Sequence, residues 1–305
     1  MKPTSRLSGT RNNKNFNMMK AYKLLLLLFL LPGIAGAQKP DLDNTHIVDG
    51  FGKKISGDDF IYHSSLPMAK ECLLIRATDG KSSMEWQTAA APANSDKGSV
   101  TFIWLAGIGS SPGNARFDVK VNGRDMFTFW SDGADQWTKN AEDGSSLSFV
   151  NDMTDQNGDR FGFMYLRIPE SNLVEGQPVT LKVTGGNFNT TSWYMTFRFS
   201  LENSLTIKSL PAIFQKDDSD HQLGIAGIFH PGKPQKAKIF VDNKLVSEST
   251  LSFGYNYLRV ALPHVKKERK VQYRLEAGSF ADKGTLTLKP VRRWNVNFVQ
   301  HSHTD

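Results

Sequence analysis

Three residues with the side chains and spacing for metal chemistry stand together at His301, His303 and Asp305, in the run Val296-Asn-Phe-Val-Gln-His-Ser-His-Thr-Asp305. In extended backbone, residues two apart point to the same side. Two imidazoles and a carboxylate would then share one face, and both groups are ligands for Zn²⁺. A zinc site needs three or four ligands, so this run supplies part of one. A second group is Trp130, Asp132, Asp135 and Trp137. Indole rings beside carboxylates suit a sugar, whose apolar ring face stacks while its hydroxyls take hydrogen bonds, and these four are the candidate carbohydrate-binding residues. Asp155-x-Asn157-x-Asp159 begins like a calcium loop, but Arg160 and Leu166 stand where that loop needs Gly and Glu. It reads as an acidic surface loop. Gly107-x-Gly109 opens no helical pattern and gives no dinucleotide fingerprint.

The elements that must position these groups read as β throughout. Short apolar-alternating segments at 72–77, 84–88, 100–105, 117–121 and 125–130 are separated by Asp79-Gly80, Ser111-Pro112-Gly113, Asn122-Gly123 and Asp132-Gly133. Phe117-x-Val119-x-Val121 followed by Asn122-Gly123 predicts a hairpin with a type I′ turn. The same style resumes at 225–229, 237–241, 245–249, 257–262, 271–277 and 284–288. No segment after residue 37 sustains helical periodicity. The expected fold class is all-β: two consecutive sandwich units of jelly-roll or immunoglobulin-like type. The expected organisation is residues 1–37 as leader, 38–59 as linker or edge segment, 60–205 as the first sandwich, 206–290 as a smaller second one, and 291–305 as the start of a further domain.

The two units echo each other. Tyr165-Leu-Arg-Ile168 and Tyr257-Leu-Arg-Val260 each follow a strand and tight turn, ending at Val121 and Val241, and each is followed about 20 residues on by a glycine, Gly185 or Gly278. If the echo is real, the first unit carries an insertion spanning about residues 130–160. It is expected to be a long loop, where binding residues commonly sit.

The segment Trp294-Asn-Val-Asn-Phe-Val-Gln-His-Ser-His-Thr-Asp305 resembles the opening of the catalytic domain of glycoside hydrolase family 38, the α-mannosidases. The resemblance covers about a dozen residues. It implies that the segment is the first strand of an α/β barrel and that His303 and Asp305 are zinc ligands. It also implies that the metal holds sugar hydroxyls and that a distant aspartate serves as nucleophile of a retaining mechanism. The nucleophile, the acid/base and the remaining ligands have no counterpart in this chain. The implied role is the N-terminal accessory part of a secreted zinc-dependent glycosidase, inactive alone and holding zinc weakly. The alternative is a free-standing secreted module that binds carbohydrate or protein.

Composition narrows the partners. The formal charge of +7 is concentrated in Lys2, Arg6, Arg11, Lys14, Lys20 and Lys23; without those six the chain has 31 basic against 30 acidic residues. The remainder is near neutral, which gives no footing for nucleic-acid binding. Lys20 and Lys23, the apolar run 24–31 and Ala35-Gly36-Ala37 make a signal peptide with a cleavage site before Gln38, and Met18 or Met19 is the better start. The apolar run is too short to span a bilayer, so after cleavage the expected chain is secreted or periplasmic and does not span the membrane. Cys72, the single cysteine, lies in an apolar run and reads as a core residue. Secretion without a disulfide fits a bacterial source. Lys266-Lys-Glu-Arg-Lys270 reads as a charged loop between strands.

Overall fold

The computed structural model describes residues 40–62, 71–92, 97–110, 114–199 and 201–292. The leader and the run containing His303 and Asp305 lie outside them. The all-β expectation holds: the described chain is made of strands in four sheets, forms no closed barrel, and has one short 3₁₀ turn at Glu170–Asn172.

The first sandwich has an eight-stranded and a five-stranded sheet. The larger sheet runs in the order β3 (Asp58–Ile61), β4 (Glu71–Arg76), β13 (Trp193–Phe197), β6 (Ser99–Ile108), β11 (Arg160–Pro169), β10 (Ser146–Thr154), β9 (Gln136–Asn140), with β1 (His46–Asp49) parallel to the first half of β6. The smaller sheet runs β2 (Lys53–Ser56), β5 (Ser83–Ala90), β12 (Pro178–Gly185), β7 (Arg116–Val121), β8 (Arg124–Trp130). Strand alternation sorts the side chains. Phe102, Trp104 and Ala106 of β6 and Met164 and Leu166 of β11 face the smaller sheet's Trp86, Leu181, Val119 and Phe129 in one core. Trp86 donates to the Gly50 carbonyl (2.8 Å) and Trp104 to the Tyr194 hydroxyl (2.8 Å), so both buried indoles are satisfied.

The second sandwich pairs a three-stranded sheet, β14 (Ser204–Lys216), β15 (Ser219–His230), β18 (Gly254–Pro263), with a four-stranded one, β17 (Lys244–Leu251), β16 (Gln235–Val241), β19 (Arg269–Ala277), β20 (Phe280–Leu288). Its core gathers Ile207, Ile228, Ile239, Val260, Leu262 and Leu275. The basic run at 266–270 joins β18 to β19, its last two residues opening β19.

All ten residues of β6 are buried. One face belongs to the sandwich core; on the other, Ile103 and Leu105 join Phe163, Tyr165, Phe197 and Phe199 under Phe229 and Phe253 of the second sandwich. Ring centroids are 5.7 Å apart for Phe163–Phe229, 5.6 Å for Phe163–Phe253 and 4.8 Å for Phe199–Phe229. The two sandwiches are therefore joined by an aromatic core of their own.

Within the segment expected as linker or edge, residues 46–61 form three strands of the first sandwich, with β2 and β3 on sheet edges. The second sandwich begins at Ser204, and Pro211 lies inside β14 where the β14–β15 register shifts between Ser209 and Ile213, on an edge strand that tolerates a missing N–H. One expectation changes. Residues 130–160 are not a long loop; they contribute β9 and β10, a hairpin that widens the larger sheet.

The echo itself is topological. In each sandwich a hairpin (β7–β8, β16–β17) is followed by a strand in the opposite sheet (β11, β18) and a return beside the hairpin's first strand (β12 on β7, β19 on β16). Both hairpins turn through left-handed residues, Asn122-Gly123 (φ 49° and 80°) and Asp242-Asn243 (φ 46° and 64°), as a type I′ turn requires.

Candidate carbohydrate-binding surface

The four sugar-site candidates do not form one site. Trp137, on β9, points into the first sandwich, stacked between Phe129 (5.2 Å, 14°) and Phe149 (6.0 Å, 27°). Its ring faces are occupied by core aromatics, and the expectation that it is a sugar platform is corrected. Asp135 is engaged by protein donors: Arg160 Nε at 2.9 Å and Asn151 Nδ2 at 3.2 Å. It anchors the β9–β10 hairpin to the start of β11. Asp132 is exposed and accepts the Ala134 N–H at 3.0 Å, which shapes its own turn. Trp130 alone retains an open indole. It closes β8 at the sheet edge, is 37% exposed, and meets the half-open Phe188 edge to face at 5.4 Å.

The acidic run after β10 is satisfied internally. Asp155 Oδ1 accepts the N–H groups of Asn157 (2.8 Å) and Asp159 (3.0 Å), and its other oxygen accepts the Tyr62 hydroxyl at 3.1 Å. Burial, with the Asp155 contact second, pushes the Tyr62 pKa up to about 12. Asp159 accepts both the N–H and the hydroxyl of Ser110, at 2.7 and 2.9 Å. The loop is a folded turn, as its broken calcium pattern implies. Among the described residues no group of three or more His, Cys, Asp or Glu could hold a metal ion.

Trp130 belongs to a surface that was not singled out from the sequence: the outer face of the smaller sheet. Phe117, Val119 and Val121 of β7 and Phe127 and Phe129 of β8 face inward. Alternation then turns Arg116, Asp118 and Lys120, and Thr128 and Trp130, outward, while Met126, at the bulge where the β7–β8 register shifts, packs against the core and also borders the groove. Asp118, Lys120, Met126 and Thr128, with Thr184 of β12, line an open groove of about 470 Å³. Thr128 donates to Asp118 at 2.9 Å, and Arg116 and Lys120 pair with Asp118 and Asp125 at 3.3 and 3.2 Å. The signal for this face was present in Phe117-x-Val119-x-Val121, whose intervening residues had to point to solvent.

Cys72 is fully buried and free, and burial pushes its thiol pKa up to about 12. It is a core residue, as expected. Among the described residues no helix is long and apolar enough to cross a membrane.

No protein-family model and no curated protein matches this chain. Among solved structures it is similar to a GH2 beta-galacturonidase from Eisenbergiella tayi, with 9% identity, a TM-score of 0.29, and 80% of this chain covered against 44% of that one. It is also similar to a β-glucuronidase from Ruminococcus gnavus, with 14% identity, a TM-score of 0.24, and coverage of 70% and 36%. A third is a putative β-galactosidase from Bacteroides fragilis, with 15% identity, a TM-score of 0.20, and coverage of 72% and 35%. The chain spans less than half the length of each of the three. All are named as sugar hydrolases and none as an α-mannosidase. Superpositions with TM-scores below 0.5 carry no functional argument, so the reading that follows rests on the chain's own residues.

Proposed function

We propose that this chain is the N-terminal accessory part of a secreted, zinc-dependent, α-mannosidase-like glycoside hydrolase. The observation that carries the reading is the order of parts. Two β-sandwiches end at Leu288, and six residues later Trp294 opens the apolar run into His301-x-His303-x-Asp305. His303 and Asp305 would contribute an imidazole and a carboxylate to zinc, which when bound supplies a Lewis acid that holds sugar hydroxyls. A retaining glycosidase also needs two carboxyl groups about 5–5.5 Å apart across the glycosidic bond. Three carboxylates that the sequence brings close together are instead held in turns and ion pairs: Asp135 to Arg160, Asp155 in its own turn, Asp159 to Ser110. The role left to the described chain is structural and binding, a base of two sandwiches joined through Phe163, Phe229 and Phe253.

The test compares two purified proteins on an aryl α-mannoside: the 305-residue chain and the product of the reading frame continued past codon 305. Turnover is expected in the longer product alone. Chelation should remove it, added zinc should restore it, and H303A or D305A should abolish it. Turnover by the 305-residue chain, or chelator-insensitive turnover by the longer product, overturns the proposal. A frame that stops at codon 305 puts the free-standing binding module in its place.

A further inference from the structure

The outer face of the five-stranded sheet is ordered in rows. Strand register places Glu85, Lys182, Lys120 and Asp125 side by side across β5, β12, β7 and β8. The next row is Ser83, Thr184, Asp118 and Thr128, and Arg116 stands opposite Trp130 beyond it. Adjacent rows are about 7 Å apart and adjacent strands about 4.8 Å. The face is thus a polar ladder that ends on an indole.

Its hydrogen-bonding groups are only partly used. Thr128 and Arg116 engage Asp118, and Lys120 engages Asp125. The Thr184 hydroxyl, the Lys182 ammonium and the Glu85 carboxylate have no hydrogen-bond or ion-pair partner among the described residues, although all three side chains are half-buried. Thr184 also lines the open groove of about 470 Å³ that Asp118, Lys120, Asp125 and Thr128 border.

We propose that this face binds a neutral hexose polysaccharide, with one pyranose ring on Trp130 and the next units along Thr128, Asp118 and Thr184. Charge selects the ligand class. The groove is lined by two acids and one base, so an anion entering it meets Asp118 and Asp125 and a cation meets Lys120, while Glu85 and Lys182 continue the balanced row beside it. A sugar hydroxyl both donates and accepts, and so pairs with Asp118 as acceptor and with Lys182 or Thr184 as donor. Trp130 supplies the apolar surface for the C–H face of a ring, and Phe188 braces its edge. The inference rests on the carbohydrate part of the proposed function and not on zinc.

The experiment is affinity electrophoresis of the full 305-residue chain in gels containing yeast α-mannan, barley β-glucan or polygalacturonate, with the fold of each variant checked by near-ultraviolet circular dichroism. Retardation by α-mannan or β-glucan is expected. W130A should weaken it about three- to ten-fold, the range an aromatic contact contributes. D118N and T184V should weaken it as well, and they test the site even if W130A fails to fold. K244A, on an exposed position of the second sandwich, should bind as the parent does. The proposal is overturned if no neutral polysaccharide retards the chain, if all three face variants bind as the parent does, or if only polygalacturonate binds. Hydrolysis of an aryl monosaccharide by the longer product needs no contact with this face, so failure of either claim is read independently of the other.

Discussion

Phe229→Ala is the sharpest probe of how the two sandwiches are joined. Phe229 is fully buried and meets Phe163 at 5.7 Å, Phe199 at 4.8 Å and Tyr255 at 5.2 Å. Two of these partners are in or just after strands of the first sandwich, and one is in the second. A phenylalanine side chain buries about 200 Å², which at ~25 cal/mol per Å² gives roughly 5 kcal/mol as an upper value. Core Phe→Ala truncations cost about 3–5 kcal/mol once partial relaxation is included. Because the loss falls at the junction, it weakens coupling between the sandwiches as well as total stability. The assay is equilibrium urea unfolding followed by tryptophan fluorescence, to which Trp86 and Trp104 of the first core contribute, and by far-ultraviolet circular dichroism, which reports both units. The parent is expected to unfold in one transition with both probes coincident. F229A should lose about 3–5 kcal/mol and separate the probes, the second sandwich melting first. Two separate transitions in the parent, or a loss below about 1 kcal/mol in F229A, would refute the joined-core reasoning.

Other expected outcomes follow from single sites. W137A should cost up to about 3 kcal/mol, because the partly buried Trp137 stacks on Phe129 and Phe149, whereas W130A should cost less than about 1 kcal/mol; thermal unfolding of the two variants ranks them, and equal losses would contradict the packing of one indole against the core and the exposure of the other. Cys72 is buried and its thiol pKa is pushed up to about 12, so Ellman's reagent at pH 8 should label the native chain only after denaturant is added; rapid native labelling would contradict its burial. Tyr62 and Tyr194 have pKa values raised to about 12, chiefly by burial. Their neutral forms are favoured in the folded state, so that stability is complete below the ordinary tyrosine pKa near 10 and is lost as pH rises from there toward 12. Ultraviolet titration of tyrosinate should show a late-ionising class, part of which moves to lower pH in D155N; its absence would contradict the Tyr62–Asp155 contact.

The fold was legible wherever local chemistry and tertiary demand agreed. Asn122-Gly123 needs two left-handed residues and has the two types that adopt that conformation most easily, so the β7–β8 turn could be placed to the residue. Cys72 sits in an apolar run and is in the core. Pro211 lies within β14 because an edge strand with a register shift leaves its missing N–H unneeded. Residues 38–59 read equally as linker or edge segment because β2 and β3 are four-residue edge strands, with too few inward positions to show a period. The second burial of β6 was also hidden. Ile103 and Leu105 look like ordinary strand residues, and only the packing of Phe229 and Phe253 shows what covers them.

The candidate site shows the limit more sharply, because Trp130 and Trp137 are seven residues apart, both beside aspartates, and their fates differ for a reason that lies outside that window. The chain leaves the smaller sheet after Trp130 and joins the larger one at Gln136, so the polypeptide crosses the sandwich edge between them. Trp137 then packs against the core, stacked on Phe129 and Phe149 from strands of opposite sheets. Trp130 stays out because Phe129, its neighbour on β8, already takes the inward position, and alternation forbids two consecutive residues the same face. The turn alone does not give the partners across the hairpin: it would set Phe117 opposite Thr128 and Arg116 opposite Phe129, and a bulge between Lys120 and Val119 moves these partners to Phe129 and Trp130. The shared outward face of Asp118, Thr128 and Trp130 therefore depends on a bulge that the Asn122-Gly123 turn does not announce. Asp132 and Asp135 drew attention by their charge and lead away from that surface into turns and ion pairs.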